Sequence, residues 1–432
     1  MANERVDQSD SGENPEESQD TGLQEAWEEA DRGDENIIHE GIQPLFGLLE
    51  TAINHFATDV HIDPVGDQYL VRFRINGVIN THEKMPSEEA KRLLIQIRVR
   101  ANIDITRSFT SREGQCKWLV EDQVKDIRVT TVPRNSDTSI HLRILSPPEN
   151  LTNIEMLGLR DKDLEIVRRS LAHPQGLIIV GGPTGAGKTT TIYSLANTYD
   201  LESIVGVSIE DPIEFNIPYL RQVEVDSRHD FHMPDGLRAL LRMDPDLLLV
   251  PEIRDERSAL TTVRAAVSAN FVLSTIHSKD AASAVEAFAF LSVPYNILGG
   301  SLRVIIAQNL VRTLCPACRV SRRPSGEDRA LFERWEIPVP DAIFDANPGG
   351  CDRCDRYGFS GRTGIFEVVD VDQDIGNAIV EGSAQAELRR LFRQKGYGSI
   401  FKSGLDKVVE GTTSMPELLD LYWPEIGGAG ID

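Results

Sequence analysis

The segment 182–190 is Gly182, Pro183, Thr184, Gly185, Ala186, Gly187, Lys188, Thr189 and Thr190. It matches G-x-x-x-x-G-K-[ST], in which glycines let successive backbone N–H groups turn toward a phosphate. In that motif Lys188 reaches the β- and γ-phosphates and Thr189 ligates magnesium. The stretch follows the apolar run GLIIV and opens the helical pattern TTTIYSLANTY, the strand-to-helix context such a phosphate loop needs. Three further apolar runs end in chemistry. IVGVSI leads into Glu210, Asp211 and Pro212, DLLLV into Pro251 and Glu252, and FVLSTI into His277. In an open parallel sheet, ligands bind beyond the carboxyl ends of the strands. A lysine, two or three carboxylates and a histidine at one such edge describe a site for Mg-ATP with a spare carboxylate to orient water.

Two other sets of residues carry possible chemistry. Cys315 and Cys318 form one C-x-x-C pair, Cys351 and Cys354 another, with 32 residues between the pairs. Four thiolates satisfy tetrahedral zinc and leave no open position for catalysis; a redox-active dithiol is the alternative. Cys116 stands alone and reads as a small apolar residue. His229 and His232 read as surface, since no third ligand is evident nearby. Arg128 and Arg143 each sit between apolar neighbours on alternating strands, and on a symmetric hairpin register they are direct neighbours on one exposed face. They are either surface arginines with acid partners or a clamp for a phosphate on a neighbouring subunit.

The elements that position these residues fall into two patterns. Apolar residues at helical spacing run from Ile38 to Phe56, interrupted by Pro44. The alternating strand QYLVRFRI then meets a hairpin turn at Asn76-Gly77. A helix follows that Ser87, Glu88 and Glu89 are expected to cap, and then the strands DIRVTTV and SIHLRIL. Residues 36–145 thus predict a small α+β domain, and SPPEN at 146–150 a linker. From 151 to 432, strands alternate with helices, which predicts an α/β domain with a parallel sheet covered on both faces. It carries the tetracysteine insertion at about 315–354 and a helical C-terminal region at about 370–432.

The chain has 432 residues, about three domains' worth at most, and a formal charge of −23. Residues 1–40 hold 14 acidic against 2 basic side chains, so about half the excess is a tail. A tail of this polarity (residues 1–35) is expected to be disordered. The remainder, at −11, lacks the basic surface a nucleic-acid binder needs. No apolar run approaches 18 residues, and the N-terminus has no apolar core of a secretory signal, so a cytoplasmic protein is expected.

In VRFRINGV, DIRVTTVP…LRIL, GPTGAGKTTTIYSL, SIEDPIEF, LLRMDPDLLLVPEIRD, STIHSKDAASAVEAF, LVRTLCPAC…CDRCDRYGFSGRTGIFEV and GLDKVVEGTTSMPELL, the chain resembles the motor ATPases of type II secretion and type IV pilus assembly. The resemblance implies a PAS-like N-terminal domain followed by a RecA-like ATPase domain. It also implies a homo-hexamer on the cytoplasmic face of the inner membrane, peripherally attached through a platform or recruitment protein. By motif, Glu210 would activate water, Glu252 hold magnesium and His277 sense the γ-phosphate, while Arg128 and Arg143 fall at the family's arginine-finger positions. The tetracysteine loop is similar to the zinc-binding insertion of the secretion and assembly branch, which retraction motors generally lack.

The chain departs from that family in three places. Pro251 stands where glycine is usual, and a proline at a positive-φ position would displace Glu252. Ser268, Ala269 and Asn270 replace a T-G-H that packs behind His277. The acidic tail occupies the place of a further N-terminal docking domain. The expected function is ATP-driven pilus assembly or type II secretion. The alternatives are a non-hydrolysing, nucleotide-gated scaffold and a retraction-type motor.

Overall fold

The structure is a computed structural model that describes residues 45, 47–105, 110–120, 123–134, 137–145, 153–226, 229–268 and 270–426. The acidic tail, the 146–150 linker and Ala269 lie outside the described residues. The chain divides into two compact units between Ile144 and Leu145.

In the first unit the strands are β1 (Ala57–Val65), β2 (Gln68–Ile75), β3 (Val78–Pro86), β4 (Arg112–Val120), β5 (Gln123–Arg134) and β6 (Asp137–Leu145), with helix α1 (Ser87–Arg100) after β3. They form one sheet in the order β3-β2-β1-β6-β5-β4. The β2–β3 hairpin turns at Asn76 (φ 50°) and Gly77 (φ 86°), the pair of positive φ angles expected of Asn-Gly. One face of the sheet presents Val60, Ile62, Val71, Phe73, Ile127, Val129, Ile140 and Leu142 to a core shared with Leu93, Leu94 and Ile97 of α1 and Leu49 of a short helix at 47–54. Alternation puts Asp59, His61, Arg72, Arg74, Arg128, His141 and Arg143 on the opposite face. The cap of α1 differs from expectation. Pro86 occupies the N-cap, no side chain caps the helix, and Glu88 and Glu89 fill the first turn, where they complement the helix dipole.

The second unit runs through α2 (Asp161–Leu171), β7 (Gly176–Gly181), α3 (Lys188–Ala196), β8 (Gly206–Glu210), β9 (Arg221–Glu224), α4 (Met233–Leu240), β10 (Leu247–Val250), α5 (Glu256–Val267), β11 (Phe271–Ile276), α6 (Ala281–Phe290), α7 (Tyr295–Ser301) and β12 (Leu302–Leu314). It continues with β13 (Val320–Arg322), α8 (Gly326–Arg334), β14 (Ile343–Asp345), β15 (Phe359–Asp370), α9 (Gln373–Val380), α10 (Gln385–Gln394), α11 (Ile400–Val409) and α12 (Met415–Ile426). Seven strands form the sheet β15-β12-β7-β11-β10-β8-β9, parallel except for β15. Its central strands are buried on both sides. Leu177 and Ile179 of β7 pack into one apolar layer, Ile178 and Val180 into the other, as continuous apolar runs in a covered sheet require. Strands β13 and β14 form a separate two-stranded ribbon between the cysteine pairs. Among the described residues, no helix is long and apolar enough to cross a membrane.

Candidate functional site

The parallel register brings the ends of β7, β8, β10 and β11 to one edge of the sheet. After Gly181 the loop turns through Gly185 (φ 78°) and Gly187 (φ 83°), angles an L side chain rarely adopts, and enters α3 at Lys188. Lys188 Nζ folds over the loop and donates to the carbonyls of Gly182 and Pro183 (2.9 and 3.0 Å). Burial draws the pKa of Lys188 down, and the field of Glu252 opposes that shift.

A side chain that the sequence reading passed over fixes the loop from below. Ala307 of β12 pairs with Gly181, so Gln308 lies under the first turn of the loop. Gln308 is 1% exposed, donates through Nε2 to the Ala186 carbonyl (2.6 Å) and accepts from Thr191 Oγ1 of α3 (2.8 Å). A Cβ at Gly182 would fall 2.7 Å from the Gln308 carbonyl oxygen, so the first glycine is needed for close backbone approach.

Beside the loop, a cleft of about 260 Å³ is lined by Thr189, Glu210, Asp211, Glu252 and Arg254, with His232, Pro234 and Pro251 among the remaining walls. The sequence-predicted carboxylates therefore share one cavity with the threonine of the phosphate loop, and His277 joins them through Glu252. Glu252 Oε1 accepts from His277 Nε2 (2.9 Å) and Oε2 from Arg254 Nη2 (2.6 Å); Arg254 Nη1 also reaches Asp211 (3.4 Å). Burial pushes the Glu252 pKa up, but the bonds from Arg254 and His277 outweigh it and hold the carboxyl below its ordinary value. Pro251 keeps its carbonyl anchored by Thr275 Oγ1 (2.5 Å), and the Ile253 N–H pairs with the Thr275 carbonyl (3.2 Å). With those anchors Glu252 reaches both the cleft and His277. At the 268–270 segment, Asn270 Nδ2 bonds the Pro245 carbonyl and the Asn270 carbonyl accepts from the Gly176 N–H, tying the start of β11 to its neighbours.

Glu210 is held differently. It is 1% exposed, and its carboxylate accepts from Tyr193 Oη of α3, from Ser208 Oγ (2.6 Å) and from Gln222 Nε2 of β9 (2.9 Å). Tyr193 and Gln222 were not singled out in the sequence, and β9, a four-residue edge strand, gave no period by which to find it. His229, paired with Asp226, and His232, bonded to Asp230 (3.0 Å), are both exposed, as the surface reading expects, and His232 also borders the cleft.

The arginines Arg128 and Arg143 lie on the neighbouring strands β5 and β6 of the first unit. Arg143 Nε donates to Asp59 (3.1 Å). Cys116 packs, half-buried, against the core of that unit, and burial raises its pKa.

Cys315, Cys318, Cys351 and Cys354 place their Sγ atoms within 4.8 Å of one another, with three separations of 3.8 Å. Zinc–sulfur bonds of about 2.3 Å at tetrahedral angles give edges of about 3.8 Å. The backbone N–H groups of Cys351 and Gly358 also donate to Cys354 Sγ (3.3 and 3.2 Å). Burial raises the Cys354 and Cys318 thiols alike, but these donors, with Cys318 and Cys351, draw Cys354 down to about 7. The other three thiols help push Cys318 up to about 12, so the four sulfurs share their protons as one cluster. The donor set fits a structural zinc.

Comparison with known proteins supplies the frame for this geometry. The sequence model of the family described as "Type II/IV secretion system protein" matches residues 33–420. Type II secretion system protein E of Aeromonas hydrophila is 33% identical over 88% of this chain and 75% of its own length. The type IV pilus assembly ATPase TfpB of Acinetobacter baylyi is 32% identical over 86% of this chain and 64% of its own length. In fold, the chain is similar to the ATPase DotB of Legionella pneumophila, with a TM-score of 0.62 at 17% identity over 87% of this chain and 94% of that one.

Proposed function

The chain belongs to the type II/IV secretion system protein family, and on that premise we propose that it is a hexameric ATP hydrolase. Mg-ATP hydrolysis drives motion of its N-terminal unit against its ATPase unit, to power type IV pilus assembly or type II protein secretion. The observation that carries this reading is the convergence of Thr189, Glu210, Asp211, Glu252 and Arg254 on one cleft at the carboxyl ends of the strands, beside the loop over which Lys188 folds. In the proposed cycle the loop amides and Lys188 bind the β- and γ-phosphates. Thr189 and Glu252 would hold magnesium, which when bound would supply positive charge beside the transferring phosphoryl group. His277, already bonded to Glu252, reports the γ-phosphate. Glu210 orients the attacking water and takes its proton, exchanging one of its three protein donors for that water. Arg128 and Arg143 act on the phosphate of a neighbouring subunit.

The names of the curated relatives and the four clustered cysteines support the secretion or assembly branch over retraction. Zinc, held by Cys315, Cys318, Cys351 and Cys354, has a structural role in this reading. The partner is an inner-membrane platform or recruitment protein, to which the cytoplasmic hexamer attaches peripherally.

Nucleotide titration and turnover of two variants test the site. Lys188→Ala is expected to lose ATP affinity, and Glu210→Gln to keep it while turnover falls by at least about 10²-fold. Wild-type affinity in the first variant contradicts the phosphate-loop assignment; wild-type turnover in the second removes Glu210 as the base.

A further inference from the structure

Asp59 is a buried carboxylate (6% exposed) that the nucleotide site makes no use of. It sits at the centre of a row across three strands, paired with Arg74 of β2 on one side and Arg143 of β6 on the other. Its Oδ1 accepts from His141 Nε2 (2.8 Å) and Arg143 Nε (3.1 Å). Its Oδ2 accepts from Thr58 Oγ1 (2.8 Å) and lies 3.5 Å from Arg74 Nε. Burial pushes the Asp59 carboxyl up, but the donors His141, Thr58 and Arg143 outweigh it, so the group stays ionised far below the usual carboxylate range.

The two arginines in the row are held in unlike ways. Arg74 is tied down by a terminal nitrogen, since its Nη1 donates to the Gly77 carbonyl (2.9 Å). Arg143 is held through Nε alone, its side chain is 54% exposed, and its two terminal nitrogens bond nothing among the described residues. One carboxylate between two guanidiniums leaves the row one net positive charge. A guanidinium gripped at Nε presents both terminal N–H groups as a planar fork, the geometry that binds a phosphoryl group in bidentate fashion.

We infer that Asp59 is the positioning residue for Arg143, fixing the guanidinium by its Nε so that both terminal nitrogens face a phosphoryl group on a neighbouring subunit. The inference rests on the reading of Arg143 given under the proposed function. Misplacing a catalytic group by about 1 Å costs about 10²-fold in rate, which sets the effect to expect.

The test compares kcat and KM for Mg-ATP in the full chain for Arg143→Ala, Asp59→Asn, Asp59→Ala and the double variant, with thermal melts reporting the fold. Asp59→Asn is isosteric and serves if the alanine variant unfolds. Both Asp59 variants are expected to lose about 10–10²-fold in kcat with KM within about threefold. In the Arg143→Ala background, removing Asp59 should change kcat by less than about twofold, because the group it positions is gone. Asp59 variants mixed with Lys188→Ala subunits should regain turnover, since the intact arginine of one then serves the intact loop of the other. Unchanged kcat in Arg143→Ala would remove the reading of Arg143 and this inference with it. A loss in Arg143→Ala accompanied by wild-type kcat in the Asp59 variants, by multiplicative loss in the double variant, or by no recovery on mixing where Arg143→Ala mixed with Lys188→Ala does recover, overturns the positioning role alone. No recovery in either mixture removes the reading of Arg143 as acting on a neighbour.

Discussion

Glu210 and Glu367 are both buried carboxylates of the ATPase unit, and they differ in what faces them. Three side-chain donors stabilise Glu210. Among the described residues, Glu367 of β15 accepts only the Ala281 N–H (3.0 Å), and it lies near Asp280. Burial, reinforced by the charge of Asp280, drives its pKa up to about 8, against the weaker pull of the Ala281 N–H, Arg389 and Arg160. Glu367 is therefore protonated at pH 7 in the folded chain and ionised in the unfolded one. Between about pH 4.5 and 8 the folded state holds a proton that the unfolded state releases, so its contribution to stability falls as pH rises. The limiting slope is about 1.4 kcal/mol per pH unit. Glu367→Gln should flatten that fall, which urea midpoints at pH 5, 6, 7 and 8 would detect. An identical decline in the variant would show that Glu367 is ionised in the fold.

At the scale of elements, strand β12 joins two functional features. Gln308 near its middle supports the phosphate loop, and Cys315 just beyond its end opens the cysteine cluster. Elemental analysis of the purified chain should find about one zinc per subunit, absent from Cys315→Ser/Cys351→Ser. Zinc-free protein with the four thiols intact and an unchanged melting temperature would refute a structural metal. The strands that carry the loop, Glu252 and His277 were legible because each is an apolar run ending in a marked residue. Strand β4 was not, because among its described side chains Trp118 is the one large inward apolar residue and Gly114 occupies another inward position. A Cβ at Gly114 would fall 2.1 Å from the Ala101 carbonyl, so close packing removes the alternation that would have marked the strand. Gln308 was hidden for a related reason: one polar residue within the apolar strand β12 has no periodic signature, and its bonds to Ala186 and Thr191 span more than a hundred residues.

At the scale of the whole molecule, the residues to which the proposal gives chemical roles are divided between the units. The loop, carboxylates and histidine lie in the unit from Leu145 onward, while Arg128 and Arg143 lie in the unit before it. The sequence revealed that division through two contrasting element orders, βαβ alternation in one unit and antiparallel strands in the other. It could not reveal the use of Asp59, because an Asp on the polar face of a strand has no pattern that separates it from a solvated residue. An enzyme whose arginines serve a neighbour has incomplete sites as a single chain, and its turnover must follow assembly. The most direct measurement is Mg-ATPase specific activity across a range of protein concentrations, with Lys188→Ala as the blank and sedimentation reporting the oligomer. Specific activity should climb from near the blank to a plateau as rings form, with the same midpoint as the sedimentation curve. A constant specific activity in the monomer range would contradict sites completed between subunits, and a rate equal to the blank in assembled rings that still bind ATP would contradict a motor.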